Sequence, residues 1–202
     1  MIPERTRQRP GWWRGLAATL ALAASFSATA EPAGQSQLRV EGAFLVNFIR
    51  YTDWPAQRFD HAGSPYLISV VGSSEAAETI SAVAAAAGTI RGRRVLVQRV
   101  RLAASMDPGA RRESVRRLRR SHLVFIADDD GDTDTRRVLA AVEGASVLTV
   151  SDVPGFAADG GMLGLVRSGR HLAIEANPSE IRAAGVSVSA KVLKLARLWG
   201  GR

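Results

Sequence analysis

The chain has 202 residues, a formal charge of +8 and no cysteine. Disulfides, zinc–thiolate sites and thiol nucleophiles are therefore excluded. The length suits one domain of ordinary size.

In chain order, Arg5, Arg7, Arg9 and Arg14 make a basic start, and Leu16 to Phe26 is apolar apart from Thr19 and Ser25. Ala28-Thr29-Ala30 then places small residues ahead of Glu31. This layout predicts a secretory signal peptide over residues 1–30, cleaved after Ala30. The apolar run is shorter than the ~20 residues that span a bilayer, so the processed chain is not expected to cross a membrane. Residues 1–30 carry four arginines and one glutamate, +3, which leaves about +5 on residues 31–202. Export weakens the case for nucleic acid as the partner of that charge, and none is expected.

Residues 31–37 are small and polar and read as a disordered start of the mature chain. Val40, Phe44, Leu45, Phe48 and Ile49 repeat at helical spacing, and Asp53-Trp54-Pro55 ends that helix. Tyr66–Val71 reads as a strand, followed by a helix from Ser74 that buries Ala76, Ile80, Val83, Ala84 and Ala87 and ends at Gly88. Arg94–Val100 alternates as a strand. Asp107-Pro108 caps an arginine-rich helix with only Val115 and Leu118 as inward anchors. Leu123–Ala127 is a continuous apolar strand, as a central parallel strand would be. Asp132 opens a helix through Val138, Leu139 and Val142, and Val147–Val150 is another strand. Met162–Val166 and His171–Ala176 form an antiparallel hairpin turning at Ser168-Gly169. Asn177-Pro178 starts a further helix, interrupted at Gly185, with Val188, Val192, Leu195 and Trp199 on one face. The fold class is α/β: a mostly parallel sheet with helices on both faces and an antiparallel edge hairpin, in one domain over 38–202.

Chemistry-bearing residues are sparse. His61, His122 and His171 share no metal-pair spacing and read as surface or strand-edge residues. Asp128, in Asp128-Asp129-Asp130, follows a strand where a parallel sheet binds ligands, and equally reads as a solvated turn. Ser73, in Val71-Gly72-Ser73-Ser74, opens a helix whose backbone N–H groups suit an anion, without the glycines of a nucleotide loop. Asp152 precedes the Gly- and Pro-rich loop over 153–161, and Phe156 lies within it. Asp152 reads as a contact or as a cap of the loop backbone, and Phe156 as a core plug or an exposed anchor for a partner. No Ser–His pair, metal cage or phosphate cradle stands out, so no catalytic residue, cofactor or metal is assigned.

Read together, Phe44-Leu45-Val46-Asn47-Phe48-Ile49-Arg50-Tyr51-Thr52-Asp53-Trp54-Pro55, Leu123–Ala127, Val147–Asp152, Gly155-Phe156-Ala157, Gly160-Gly161-Met162, Ile174–Asn177, Ala184-Gly185-Val186 and Ser187–Arg197 form an ordered set of motifs. That set resembles the YfiR-like family of exported bacterial proteins, over roughly residues 38–198. The resemblance implies a periplasmic α/β domain without catalytic activity. It implies binding to the periplasmic sensor part of a membrane diguanylate cyclase, lower cyclic-di-GMP and less biofilm, and action as a homodimer. Related domains also serve as sensor modules of signalling kinases, so a small-ligand module for a kinase or transporter is the alternative. Some members carry cysteine pairs. Here Ser121-His122 stands where a Cys-His pair can precede the same strand, so redox control of that type cannot operate.

Overall fold

The computed structural model describes residues 33–127, 134–169 and 171–200. Helix α1 (Ala33–Arg50) buries Leu45, Phe48 and Ile49 along one stripe. It begins inside the segment expected to be disordered. Gln37 Nε2 donates to Glu41 Oε1 at 2.7 Å, an i,i+4 bond that supports the first turns, and Glu41 is buried. Strand β1 (Thr52–Asp53) and a 3₁₀ turn (Ala56–Arg58) lead to β2 (Tyr66–Val71). Helix α2 (Ser74–Ala86) follows, then β3 (Thr89–Ile90) and β4 (Arg93–Arg99). The two-residue turn between these strands holds Arg91 at φ +51° and Gly92 at φ +75°. Two positive φ values are what a type I′ hairpin requires.

Helix α3 (Pro108–Arg120) is capped by Asp107, whose carboxylate accepts the Ala110 N–H at 2.8 Å. Strand β5 (Leu123–Ile126) and helix α4 (Thr135–Val142) come next. Asp132, the expected start of α4, lies outside the described residues. Asp134 caps that helix, accepting the Arg137 N–H at 3.2 Å. Then come β6 (Leu148–Ser151), β7 (Leu163–Ser168) and β8 (His171–Ala176). The chain closes with α5 (Pro178–Ala183), β9 (Ser187–Val188), α6 (Ala190–Leu193) and β10 (Ala196–Leu198).

Eight strands form one sheet in the order β10-β8-β7-β6-β5-β2-β4-β3. β4, β2, β5, β6 and β7 are parallel, while β8 and β10 run the other way. The hairpin therefore stands one strand in from the margin, because β10 adds beyond it. β1 and β9 pair separately, Thr52 opposite Val188, and tie the end of α1 to the C-terminal segment. One continuous C-terminal helix does not form. Gly185, at φ +68°, ends α5 in a conformation that turns the chain, and β9 and β10 take up sheet pairings.

Alternation along the strands builds two apolar layers. Ile68, Val70, Leu123, Phe125, Leu148 and Val150 face α1 and α2, and the same cluster takes in Ile181, Val188 and Val192. Val71, Val124, Ile126 and Val147 face Leu118 of α3 and Val138 and Val142 of α4. Both faces of the sheet are thus covered, which explains the unbroken apolar runs of the central strands.

α3 offers few apolar anchors and is fastened by a polar chain instead. Arg117 donates to Gln98 Oε1 through Nε (3.1 Å) and a terminal nitrogen (2.9 Å). Gln98 Nε2 donates to Ser69 Oγ at 3.0 Å. The Ser69 and Ser121 hydroxyls lie 2.6 Å apart, and Ser121 donates to the Arg117 carbonyl at 3.0 Å. With the Ser121 hydrogen spent there, Ser69 is the donor of the pair, and the circuit closes. Ser69→Ala is expected to cost about 1–3 kcal/mol, since it removes the acceptor of Gln98 and the donor to Ser121 at a buried position. Urea unfolding reads the loss, and faster amide exchange over 108–120 places it in α3.

Candidate functional site

Two of the four residues singled out from the sequence stand at the carboxyl ends of parallel strands: Ser73 follows β2 and Asp152 follows β6. Asp128 lies outside the described residues. The strand order reverses between β5 and β2, so this margin is the one where open α/β sheets bind ligands. Ser73 is the N-cap of α2, its Oγ accepting the Ala76 N–H at 3.0 Å. Arg99 donates through Nε to the Gly72 carbonyl at 2.8 Å, bringing a cation beside the same turn. Asp152 is half-buried at the rim of a hollow of about 280 Å³, with Gln37 of α1 and Leu165 and Arg167 of β7.

Phe156 is not a surface anchor. It is 1% exposed and packs among Val71, Val124, Ile126, Leu118 and Val138. Gly161 makes room for it: a Cβ built there would overlap the Phe156 ring. The loop is also tied down. Gly161 N–H donates to the Phe156 carbonyl at 2.8 Å, and Met162 N–H to Thr149 Oγ1 at 3.1 Å. Ser151 Oγ donates to the Ile126 carbonyl at 2.7 Å and accepts the Val153 N–H at 3.0 Å. Buried Asn177 donates to the Ala157 carbonyl at 3.0 Å and caps α5, accepting from the Ser179 and Glu180 N–H groups at 3.2 and 3.3 Å. The loop over 153–161 is thus fastened to the sheet and to the start of α5.

A larger cavity, about 630 Å³, lies between α4, the β6–β7 loop and α5. Leu139, Val142 and Met162 give it apolar lining, and Arg136, Asp159 and Glu180 give it charge. Its volume falls in the usual range for small-molecule sites.

His122 also departs from expectation. It is 2% exposed, not a strand-edge side chain. Phe59 stacks on its ring at 4.6 Å, and Trp54 and Tyr66 approach edge-on at 5.6 and 5.5 Å. Trp54 donates through Nε1 to the His122 carbonyl at 3.0 Å, so it is a core plug with a satisfied N–H. The Leu67 N–H donates to His122 Nδ1 at 3.1 Å, which places the neutral ring's proton on Nε2. Nε2 is buried with no hydrogen-bond partner. Burial first, then the guanidinium groups of Arg58 and Arg93, hold this imidazole down to about 4. Arg93 completes the stack, 4.0 Å over the Phe59 ring. Aromatic residues at 54, 59 and 66 hinted at such a cluster, but His122 joins them only through strand pairing.

Among the described residues no three His, Asp or Glu side chains gather as a metal site, and no helix is long and apolar enough to cross a membrane.

A family model described as YfiR/HmsC-like matches residues 38–197. At family level this supports a periplasmic regulatory role in cyclic-di-GMP signalling. No curated protein sequence matches the chain. A conserved domain protein of Vibrio cholerae O1 biovar El Tor is similar in structure, with a TM-score of 0.54 at 10% identity, covering 80% of this chain and 59% of that one. A Streptococcus pneumoniae structure described as an ABC domain in complex with L-Trp gives a TM-score of 0.52 at 13% identity, covering 76% of this chain and 58% of that one. The chain spans less than two thirds of either structure's length, and at such identities the likeness is one of fold.

Proposed function

Because the chain belongs to the YfiR/HmsC-like family, we propose that it is a periplasmic regulator that binds the sensor part of a membrane diguanylate cyclase and holds that enzyme inactive. The observation that carries this reading is the extent of the match, residues 38–197, which takes in nearly every element of the described fold. Mechanistically, the protein binds one conformation of the sensor more tightly and shifts the population toward inactive cyclase; no chemical step is needed. It acts as a homodimer, with residues 1–30 removed on export. Purified from the periplasm, the chain is expected to begin at Glu31 by intact mass. Isothermal titration of that protein with the isolated periplasmic segment of the cyclase tests the contact. Saturable heat is the expected result, and no binding at micromolar concentrations contradicts it.

The second reading is a small-ligand module serving a signalling kinase or transporter. The cavity of about 630 Å³ beside α4 and α5 favours it. Native mass spectrometry separates the two: a retained small molecule supports the ligand module, and a clean apo dimer supports the protein-contact regulator.

A further inference from the structure

The two margins of the eight-stranded sheet differ. At one, β3 is two residues long and closes in the turn at Arg91, whose side chain pairs with Asp53 and donates to the Arg50 carbonyl at 2.8 Å. That margin is a tight hairpin turn tied back to the end of α1 and to β1, which covers the edge. At the other, β10 pairs in parallel with β8, Ala196 opposite Ile174 and Leu198 opposite Ala176. Among the described residues no strand pairs with its outer side. Leu195, 78% exposed, and Leu198, 56% exposed, are the most exposed large hydrophobic side chains described. Lys191, Lys194 and Arg197 are exposed in the same segment. Arg197 lies 4.5 Å over the Trp199 ring and reaches the largely buried Glu175 carboxylate only at 3.8 Å, a long contact that leaves the exposed guanidinium open to a further partner.

We infer that the outer edge of β10 takes up an extended, acidic segment of a partner protein as a ninth strand. This rests on the protein-contact reading above. Trp199 N–H bonds to the Ala176 carbonyl of β8, so by alternation the backbone groups of Ala196 and Leu198 face the open side and supply ladder bonds. The two leucines add apolar contact, and the stacked Arg197 and Trp199 are residue types enriched at interface centres. Lys194 and Arg197 select carboxylates. A second copy of the chain fits less well. Antiparallel self-pairing centred on the middle residue of β10 sets Arg197 opposite Arg197, and like charges directly across a ladder are destabilising.

A fluorescent peptide of alternating valine and glutamate, titrated into the full mature protein, is the probe. Fluorescence anisotropy should report saturable binding, and amide exchange should slow over 195–199. The same peptide N-methylated at alternate amides should not bind, and Arg197→Glu should weaken binding about tenfold or more. Circular dichroism of Arg197→Glu establishes that the variant is folded. Absent binding, equal binding by a valine–lysine peptide, or equal binding by the N-methylated peptide overturns the inference. Concentration-dependent protection of 195–199 without peptide also overturns it, in favour of a second copy. Because the peptide is not the cyclase, binding here with no titration of the cyclase segment would overturn the cyclase reading and leave the edge site standing.

Discussion

Phe156→Ala is expected to destabilise the protein by about 3–5 kcal/mol, the range for emptying a buried aromatic site. The ring is 1% exposed and joins sheet residues Val71, Val124 and Ile126 to Leu118 of α3 and Val138 of α4. Removing it hollows the layer that holds two helices on the sheet. Gly161→Ala acts on the same contact from the other side. Its Cβ would overlap the ring, so the buried ring or the tied loop must shift, and overpacking of about 1–3 kcal/mol follows. Urea unfolding of the two single variants and the double variant tests the coupling. Gly161→Ala should cost little once Phe156 is already alanine, and strictly additive losses would show that the two sites do not touch.

The second large effect is acid sensitivity through His122. The folded-state value lies near 4 against 6.5 for an ordinary histidine, so the unfolded chain binds the proton more readily. The stability tied to the neutral ring is therefore complete above about pH 6.5. It falls as pH drops through the window from 6.5 to 4, and below 4 nothing more is lost. A difference of this size corresponds to about 3 kcal/mol. Protonation at Nδ1 also ends its acceptance of the Leu67 N–H, so the amino end of β2 should loosen. His122→Gln keeps an acceptor and cannot titrate. Between pH 7 and pH 4 its unfolding free energy should fall by about 3 kcal/mol less than the parent's; parallel curves would show that another group carries the acid dependence.

Much of the architecture was legible because it is written in local rules. Leu123–Ala127 and Val147–Val150 are apolar throughout because the sheet is covered on both faces, and caps such as Asp107 mark helix starts. Non-local pairing hid the rest. Val188, Val192, Leu195 and Trp199 recur at helical spacing, yet Gly185 breaks the helix and the segment is drawn into β9, a short α6 and β10. Strands of two residues, β1, β3 and β9, carry no periodicity to read. At the site, Ser73 sits at the expected strand end but is occupied as a cap, and Asp152 stands at a hollow's rim. Phe156 and His122 were ambiguous or misplaced for one reason. A single aromatic or imidazole in a loop or at a strand start has its burial set by residues far away in sequence: Val71 and Leu118 for the first, Trp54 and Phe59 for the second.

The reading of the chain as a restraint on cyclase output is most directly tested inside the cell. Cyclic-di-GMP is quantified by mass spectrometry in a strain lacking residues 31–202 and in the same strain supplied with the full chain or with a chain lacking residues 1–30. Deletion should raise cyclic-di-GMP and surface attachment, the full chain should restore both to the parental level, and the leaderless chain should not. Unchanged cyclic-di-GMP on deletion, with the partner cyclase intact, would contradict the proposed role.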